Sequence, residues 1–130
     1  MGYWLASPLF FDVQVNESPS SSSEDLATVA VGTFIDADSF HRTSGNATVI
    51  RTNNGSQILR LGNFRTTNGP DLFVYISADT TGKDIVNLGR LKGNIGDQNY
   101  PIPSNIDLSR YRYVLIWCQS FAVLFGSAQL

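Results

Sequence analysis

The stretch Tyr113-Val-Leu-Ile-Trp-Cys118-Gln-Ser-Phe121-Ala-Val-Leu-Phe-Gly126-Ser-Ala-Gln-Leu130 decides the fold. It is the most apolar run in the chain, and Val, Ile, Leu, Trp and Phe suit a pleated, half-buried surface. Gln119-Ser120 interrupts it where a bend or bulge belongs. The stretch therefore reads as two core strands, 112–118 and 121–128. The only cysteine, Cys118, closes the first strand, with Trp117 beside it. Charge is almost absent, which implies burial on at least one face.

Upstream, the same grammar recurs in shorter words. Thr28 to Ile35 is β-branched and reads as a strand, and Asn46 to Thr52 as the next. Asn53-Asn-Gly-Ser56 is a hairpin turn, because Asn-Gly supplies the positive φ angles of a tight primed turn. Gln57 to Leu61 returns, with Leu59 and Leu61 on one face and Ile58 and Arg60 on the other. Gly62 to Asp71 is a second turn cluster, and Leu72 to Ser77 a strong strand. Ile85-Val86 and Leu88 to Leu91 suggest a short one. Gly93 to Pro103 reads as irregular, anchored by Tyr100 and Ile102, and Asp107 to Tyr111 as a single helical turn. No helical periodicity reaches ten residues. Short strands between Gly, Asn and Pro turns indicate an all-β domain, an antiparallel β-sandwich or flattened barrel.

The chain divides into residues 1–26, an N-terminal arm with a Ser-rich linker, and a β domain over 27–130. The polar tract Asn16 to Asp25 contains Ser20-Ser-Ser-Ser23 and cannot bury enough surface to order itself. Gly2 to Phe11 is apolar but far shorter than the roughly 20 residues a membrane span needs. It lacks the basic start of a secretory leader. It reads either as the outer end of a membrane anchor or as an arm packing on the body.

Composition excludes several functions. Charged residues make up 15% and net charge is −2, with no basic run, so there is no electrostatic footprint for nucleic acid. One cysteine rules out an internal disulfide framework. So sparse a charged surface suits an extracellular protein better than a free cytosolic one.

The motifs taken together resemble a known family. Gly32-Thr-Phe34 comes first, followed by His41 with Gly45-Asn-Ala-Thr-Val-Ile50, and Leu59-Arg-Leu61 with Phe64. Gly69-Pro-Asp-Leu72 with Val74-Tyr75, Leu88-Gly, Leu91-Lys-Gly93, Gly96 with Gln98-Asn-Tyr100, and Ile102-Pro103 succeed them. The set closes on Val114-Leu-Ile-Trp-Cys118, Phe121, Val123, Phe125-Gly126 and Ala128. This order resembles the electron-transfer DM-thirteen domain over about residues 30–130. The resemblance implies an all-β domain outside the cytoplasm, often behind an N-terminal membrane anchor in bacteria and archaea. In animals such domains stand beside DOMON-type haem or sugar modules. It also implies electron transfer, or oxidative modification of surface proteins, through a single cysteine that maps to Cys118. Whether that sulfur acts as a bare thiol or as a ligand to a group such as haem is left open.

Each candidate residue has a plainer role to set beside the chemical one. A thiol reacts when its thiolate is stabilised and exposed, whereas a buried one behaves as a small hydrophobe. The apolar neighbours of Cys118 favour the second role. Soft sulfur also suits haem iron or copper. His41 is the only imidazole, so a multi-histidine site within one chain is excluded. A Cys118–His41 pair would serve as a thiolate–imidazolium couple or as two ligands to one metal or haem, with Trp117 as neighbour. The plain alternative is a turn histidine bonded to backbone. No CxxCH occurs, which excludes covalent c-type haem attachment. Asp36 and Asp38 share a face of an extended segment, but solvated turn carboxylates are the ordinary case. Tyr75, Tyr100, Tyr111, Tyr113 and Trp117 offer stepping stones for charge or platforms for sugars, and core packing is their common use. Three Asn-x-Ser/Thr patterns begin at Asn16, Asn46 and Asn54.

The expectation is an extracytoplasmic redox or cofactor-binding module centred on Cys118, non-enzymatic, facing a redox partner or a cell-surface protein. Its alternative is a structural or adhesive surface module with an inert, packed cysteine, in which the arm supports self-association by strand addition. A hydrolase has no nucleophile–base–acid set in this chain.

Overall fold

The computed structural model describes residues 12–19 and 27–130. Eight antiparallel strands wrap into a nearly closed barrel, with no helix among the described residues. In chain order they are β1 (Ala27–Asp36), β2 (Thr43–Arg51), β3 (Gln57–Thr66), β4 (Leu72–Ser77), β5 (Ile85–Arg90), β6 (Gln98–Ile102), β7 (Tyr113–Cys118) and β8 (Val123–Gln129). Neighbours run β5-β4-β7-β8-β1-β2-β3-β6, so β5 and β6 border an unpaired seam.

Alternation of side chains about the pleat builds the interior. Val114, Ile116 and Cys118 of β7 point inward and meet Leu72, Val74 and Ile76 of β4, Leu59 and Leu61 of β3, and Val49 of β2. β1 joins the two halves of the barrel. Its first part pairs with β2, and its last residues, Phe34 to Asp36, pair with β8. At the handover Gly32 lies against the backbone of Gln129, where any Cβ would collide.

The connections β1–β2 (37–42), β3–β4 (67–71), β5–β6 (91–97) and β7–β8 (119–122) gather at one end of the barrel. Backbone bonds lace them together. The Thr67 N–H donates to the Arg42 carbonyl, that of Gln119 to Asp71, that of Leu91 to Leu72 and that of Thr66 to Asn94. The hairpin turn at 52–56, the loop at 78–84 and the loop at 103–112 occupy the opposite end.

The all-β expectation holds, and both C-terminal strands and the 46–61 hairpin are present. The single turn at 107–111 is present too, with the N–H groups of Arg110 and Tyr111 donating to the Asp107 carbonyl. Two expectations differ. β3 runs through Gly62 to Thr66 instead of ending at Leu61. The glycines there mark a β-bulge and not a turn: Gly45 (φ 109°) and Asn63 (φ 47°) face each other where the β2–β3 register slips between Ser44 and Asn46. The stretch expected to be irregular contains β6, a rim strand on which Pro101 costs no ladder bond towards a further neighbour. Its expected anchors, Tyr100 and Ile102, are buried.

The strand expected at the N-terminus falls largely outside the described residues. Of its described part, Gln14 makes a parallel bridge to Ile95 and the Val15 N–H donates to the Ile95 carbonyl. The start of the polar tract is held as well. Glu17 accepts from Lys92 Nζ at 2.8 Å and from the Asn99 N–H at 2.8 Å, while its carbonyl accepts from Arg60.

Candidate functional site

Cys118 ends β7 and stands in register with Leu72 of β4 and Val123 of β8. Its exposure is 0%, and it belongs to the interior apolar cluster. One residue earlier, between Ile116 and Trp117, the β7–β8 ladder slips, because Phe125 is an extra residue on β8. The extra residue puts the Phe125 ring into the cluster beside Gly126. Thr43 packs into the space that Gly126 leaves open, and its hydroxyl donates to the Phe125 carbonyl at 2.8 Å. Gly69 of the β3–β4 loop lies over both Phe125 and Leu72: a Cβ there would come within 2.9 Å of the phenyl ring and 3.4 Å of Leu72.

His41 comes to the same end of the barrel. Its Nδ1 lies 2.9 Å from both carboxylate oxygens of Asp38, and its ring sits 4.3 Å, centroid to centroid, from that of Phe125. Asp38 also accepts the backbone N–H groups of Phe40 and His41. The His41 side chain and these amides hold the Asp38 carboxyl below its ordinary range. His41 and Cys118 share no hydrogen bond. The structure brings both residues to one cluster through Phe125, and does not bring sulfur and imidazole together as a couple.

Trp117 lies on the other face of the sheet from Cys118, as neighbours on a strand must. It stacks on Tyr75 at 6.2 Å, and Gln119 Nε2 donates to the Tyr75 hydroxyl. Gly82, at φ 78°, caps the indole so closely that a Cβ would approach it to 2.5 Å. Trp117 is thus part of an outer aromatic layer with no contact through the sheet to the sulfur. Tyr100 is interior. It donates to Gln98 Oε1 and accepts from the Lys92 N–H, and burial pushes its phenol well above the usual range.

The carboxylates hold turns and ion pairs. Asp36 accepts the Thr43 N–H and faces Arg42; Asp71 accepts from Ser120 and faces Arg90; Asp84 meets Arg110 and Tyr111. Among the described residues no group of three His, Cys, Asp or Glu side chains could hold a metal ion.

Two clefts open at this end of the barrel. One, of about 370 Å³, lies between the β3–β4 and β5–β6 loops and is walled by Gly69, Pro70, Leu72, Arg90, Lys92 and Asn94. The other, of about 600 Å³, is walled by Asp12, Asp36, Arg42, Arg65, Thr67 and Asn94 among others. Neither wall includes Cys118. A haem or copper ion held by this sulfur would need an open face and a second donor beside it. The sulfur has hydrocarbon neighbours and no such donor, so the residues present do not fit either group.

Leu72 and Phe125, which share the interior cluster with Cys118, and Gly69, which lies over both, do not stand out in the sequence as site residues. Gly69-Pro70 was legible as a turn, but its closeness to a strand nearly fifty residues later depends on the β4–β7 pairing.

A protein-family model described as Electron transfer DM13 matches residues 33–130, from the middle of β1 to the C-terminal residue. No curated protein and no solved structure gives a match. With most of its length covered, the chain belongs to that family.

Proposed function

We propose, with membership of the Electron transfer DM13 family as premise, that the chain is an extracytoplasmic redox module acting through the thiol of Cys118. The observation that carries this reading is Leu72, which stands across the ladder from Cys118 and also walls the smaller cleft. Leu72 therefore connects that opening to the strand position opposite Cys118. Displacement of the Gly69–Leu72 segment admits a reactant without unfolding of the barrel. The reactant is a disulfide of a cell-surface redox partner. The Cys118 thiol loses its proton to solvent, its sulfur bonds one partner sulfur, and the other partner sulfur leaves as thiolate. This bare-thiol version has more support than the ligand version, given the donors around the sulfur.

The low charged content and the apolar Gly2–Phe11 stretch support a place outside the cytoplasm, tethered to a membrane. The same stretch, leading into a segment that bridges to Ile95, supports self-association through the arm.

A second reading, a structural or adhesive surface module with an inert cysteine, is favoured by the complete burial of Cys118 and by exposed Val29, Val31 and Ile35 on the outer face of β1. Native-state maleimide labelling compared with the unfolding rate separates the two. The redox reading expects labelling faster than global unfolding and insensitive to low urea. Labelling only at the unfolding rate would end it and leave the structural module.

A further inference from the structure

The described part of the N-terminal segment runs alongside the β5–β6 loop and the outer margin of β6. Its backbone is held at alternate residues. The Val13 carbonyl accepts the Ile95 N–H, the Val15 N–H donates to the Ile95 carbonyl, and the Glu17 N–H donates to the Asp97 carbonyl. The Glu17 carbonyl accepts from Arg60, and that of Ser18 from the side-chain amide of Asn99. This is strand addition to a loop and a rim strand, made by the chain on itself.

The surface beneath it is shaped for a backbone. A Cβ on Gly93 would strike the Val13 carbonyl, and one on Gly96 the Val15 carbonyl. Asn94 is only 3% exposed, yet its side-chain oxygen accepts the Val13 N–H at 2.6 Å and its side-chain nitrogen donates to Asp12 at 2.9 Å. Without the segment that buried oxygen loses its donor. Side chains add selectivity. Val15 lies over Gly93, and the Glu17 carboxylate takes both Lys92 Nζ and the Asn99 N–H, at 2.8 Å each. Every part of this seat falls inside the matched residues 33–130, and the segment that fills it falls outside them.

The seat belongs to a loop that also walls the smaller cleft, through Leu91, Lys92, Gly93 and Asn94. The same loop is bonded to the facing wall, where the Leu91 N–H donates to the Leu72 carbonyl at 2.9 Å. It is bonded to β3 as well, where the Thr66 N–H donates to the Asn94 carbonyl at 2.9 Å. A seated segment therefore braces one wall of that cleft from outside, and the wall is tied in turn to Leu72.

We infer that residues 12–18 are a tethered strand in a peptide seat formed by Gly93, Asn94, Gly96 and Asn99, and that their seating keeps the β5–β6 wall of the smaller cleft closed against Leu72. The ligand class of the seat is an extended peptide with a branched residue over Gly93 and a carboxylate two residues later. In this chain that peptide is Asp12-Val-Gln-Val-Asn-Glu-Ser18. Only the consequence for the thiol rests on the redox reading of Cys118: unseating loosens the wall beside the Gly69–Leu72 segment, whose displacement admits the reactant. A tethered strand faces its seat at an effective concentration of about a millimolar, so a free peptide binds well only where the tethered one is disabled.

The test follows amide hydrogen exchange in the full chain: the parent, Val13→Pro/Val15→Pro, which removes two donors of the segment, and Glu17→Gln. The informative amide is that of Leu91, which bonds Leu72 and not the segment. In both variants it exchanges at least about tenfold faster, while Gly55 at the opposite end and the β7 amides keep the parent rate. A synthetic peptide with the sequence of residues 12–19 returns Leu91 of the proline variant to the parent rate. The same peptide with glutamine in place of its glutamate needs about tenfold more to do so. Dilution of the parent changes nothing. Four outcomes overturn the inference: Leu91 at the parent rate in both variants; a rise shared by Gly55 and β7, which is global loss of stability; no rescue by the peptide; or loss of protection on dilution, which would assign the seat to the segment of a second copy. Maleimide labelling of Cys118 in the same samples is a separate readout. A Leu91 response beside a thiol that labels only at the unfolding rate upholds the seat and ends the redox reading.

Discussion

Leu72 faces Cys118 across the β4–β7 ladder and is also part of the wall of the cleft beneath Gly69 and Pro70. The thiol is completely buried, and the leucine opposite it opens a strand that begins just after a glycine–proline turn. Shortening that leucine leaves a void between the cleft wall and the strand position of Cys118. Leu72→Ala is expected to raise the rate of native-state maleimide labelling of Cys118 at least tenfold, at a stability cost of about 2–5 kcal/mol. Urea titration of the same protein supplies the correction: an increase no larger than the loss of global stability predicts would mean that the cleft gives no access.

The site also sets an order for replacements of the sulfur itself. Cys118 packs as a small hydrophobe among Leu72, Val123 and the interior cluster. Alanine leaves a small void, and serine brings a hydroxyl among hydrocarbon, at a cost of about 1–3 kcal/mol if it finds no partner. Cys118→Ser is therefore expected to be less stable than Cys118→Ala by denaturant unfolding. The reverse order would reveal a polar partner near the sulfur.

Acid should loosen the molecule through its carboxylates. Glu17 is held below its ordinary value first by its bond to Lys92 and then by the Asn99 amide. Asp38, Asp71, Asp79, Asp84 and Asp107 are lowered too, chiefly by side-chain hydrogen bonds to His41, Ser120, Thr81, Arg110 and Ser109. A depressed value means that the folded state binds the proton less readily than the unfolded one. The stabilisation is complete above the unfolded values of about 4 and is lost as pH falls through the folded ones. The melting temperature is expected to be level from about pH 5 to 8 and to fall below about pH 4. In Glu17→Gln that acid decline should be shallower; an unchanged slope would remove the arm contact from the account.

The opposite sign applies to Tyr100. Burial raises its phenol, so its contribution is complete below the free-tyrosine value of about 10 and is lost as pH rises beyond it. Ultraviolet titration should show one tyrosine ionising only as the barrel unfolds, and Tyr100→Phe should lack that late phase. The substitution also strips the Lys92 N–H of its acceptor and Gln98 of a donor, at a cost of about 1–3 kcal/mol.

Much of this architecture was legible in the chain. The apolar runs Leu72–Ser77 and Tyr113–Cys118, and the Asn-Gly turn at 54–55, are local signals, and local signals survive folding. The end of β3 was not legible, because a glycine that opens a bulge looks like a glycine that opens a turn until the partner strand is known. β6 was hidden by Pro101, which is tolerated only because that strand is a rim. At the candidate site, Cys118, His41 and Trp117 stood out by being rare. Which face each occupies was partly implied by the pleat, since Trp117 and Cys118 are adjacent and must diverge. That Phe125 would lie under the imidazole depends on one extra residue in β8, a register effect that no run of letters announces.

The seam between β5 and β6 gives the barrel a direction in which to breathe. A closed hydrogen-bonded cylinder has no preferred place to part, but one with a gap parts from its lips inward. β5 would let go first on one side and β6 on the other, and β4 shields β7 from the first lip by the width of a single strand. The sulfur is therefore two strands from an unlaced edge, and slow sideways opening is a second road to it.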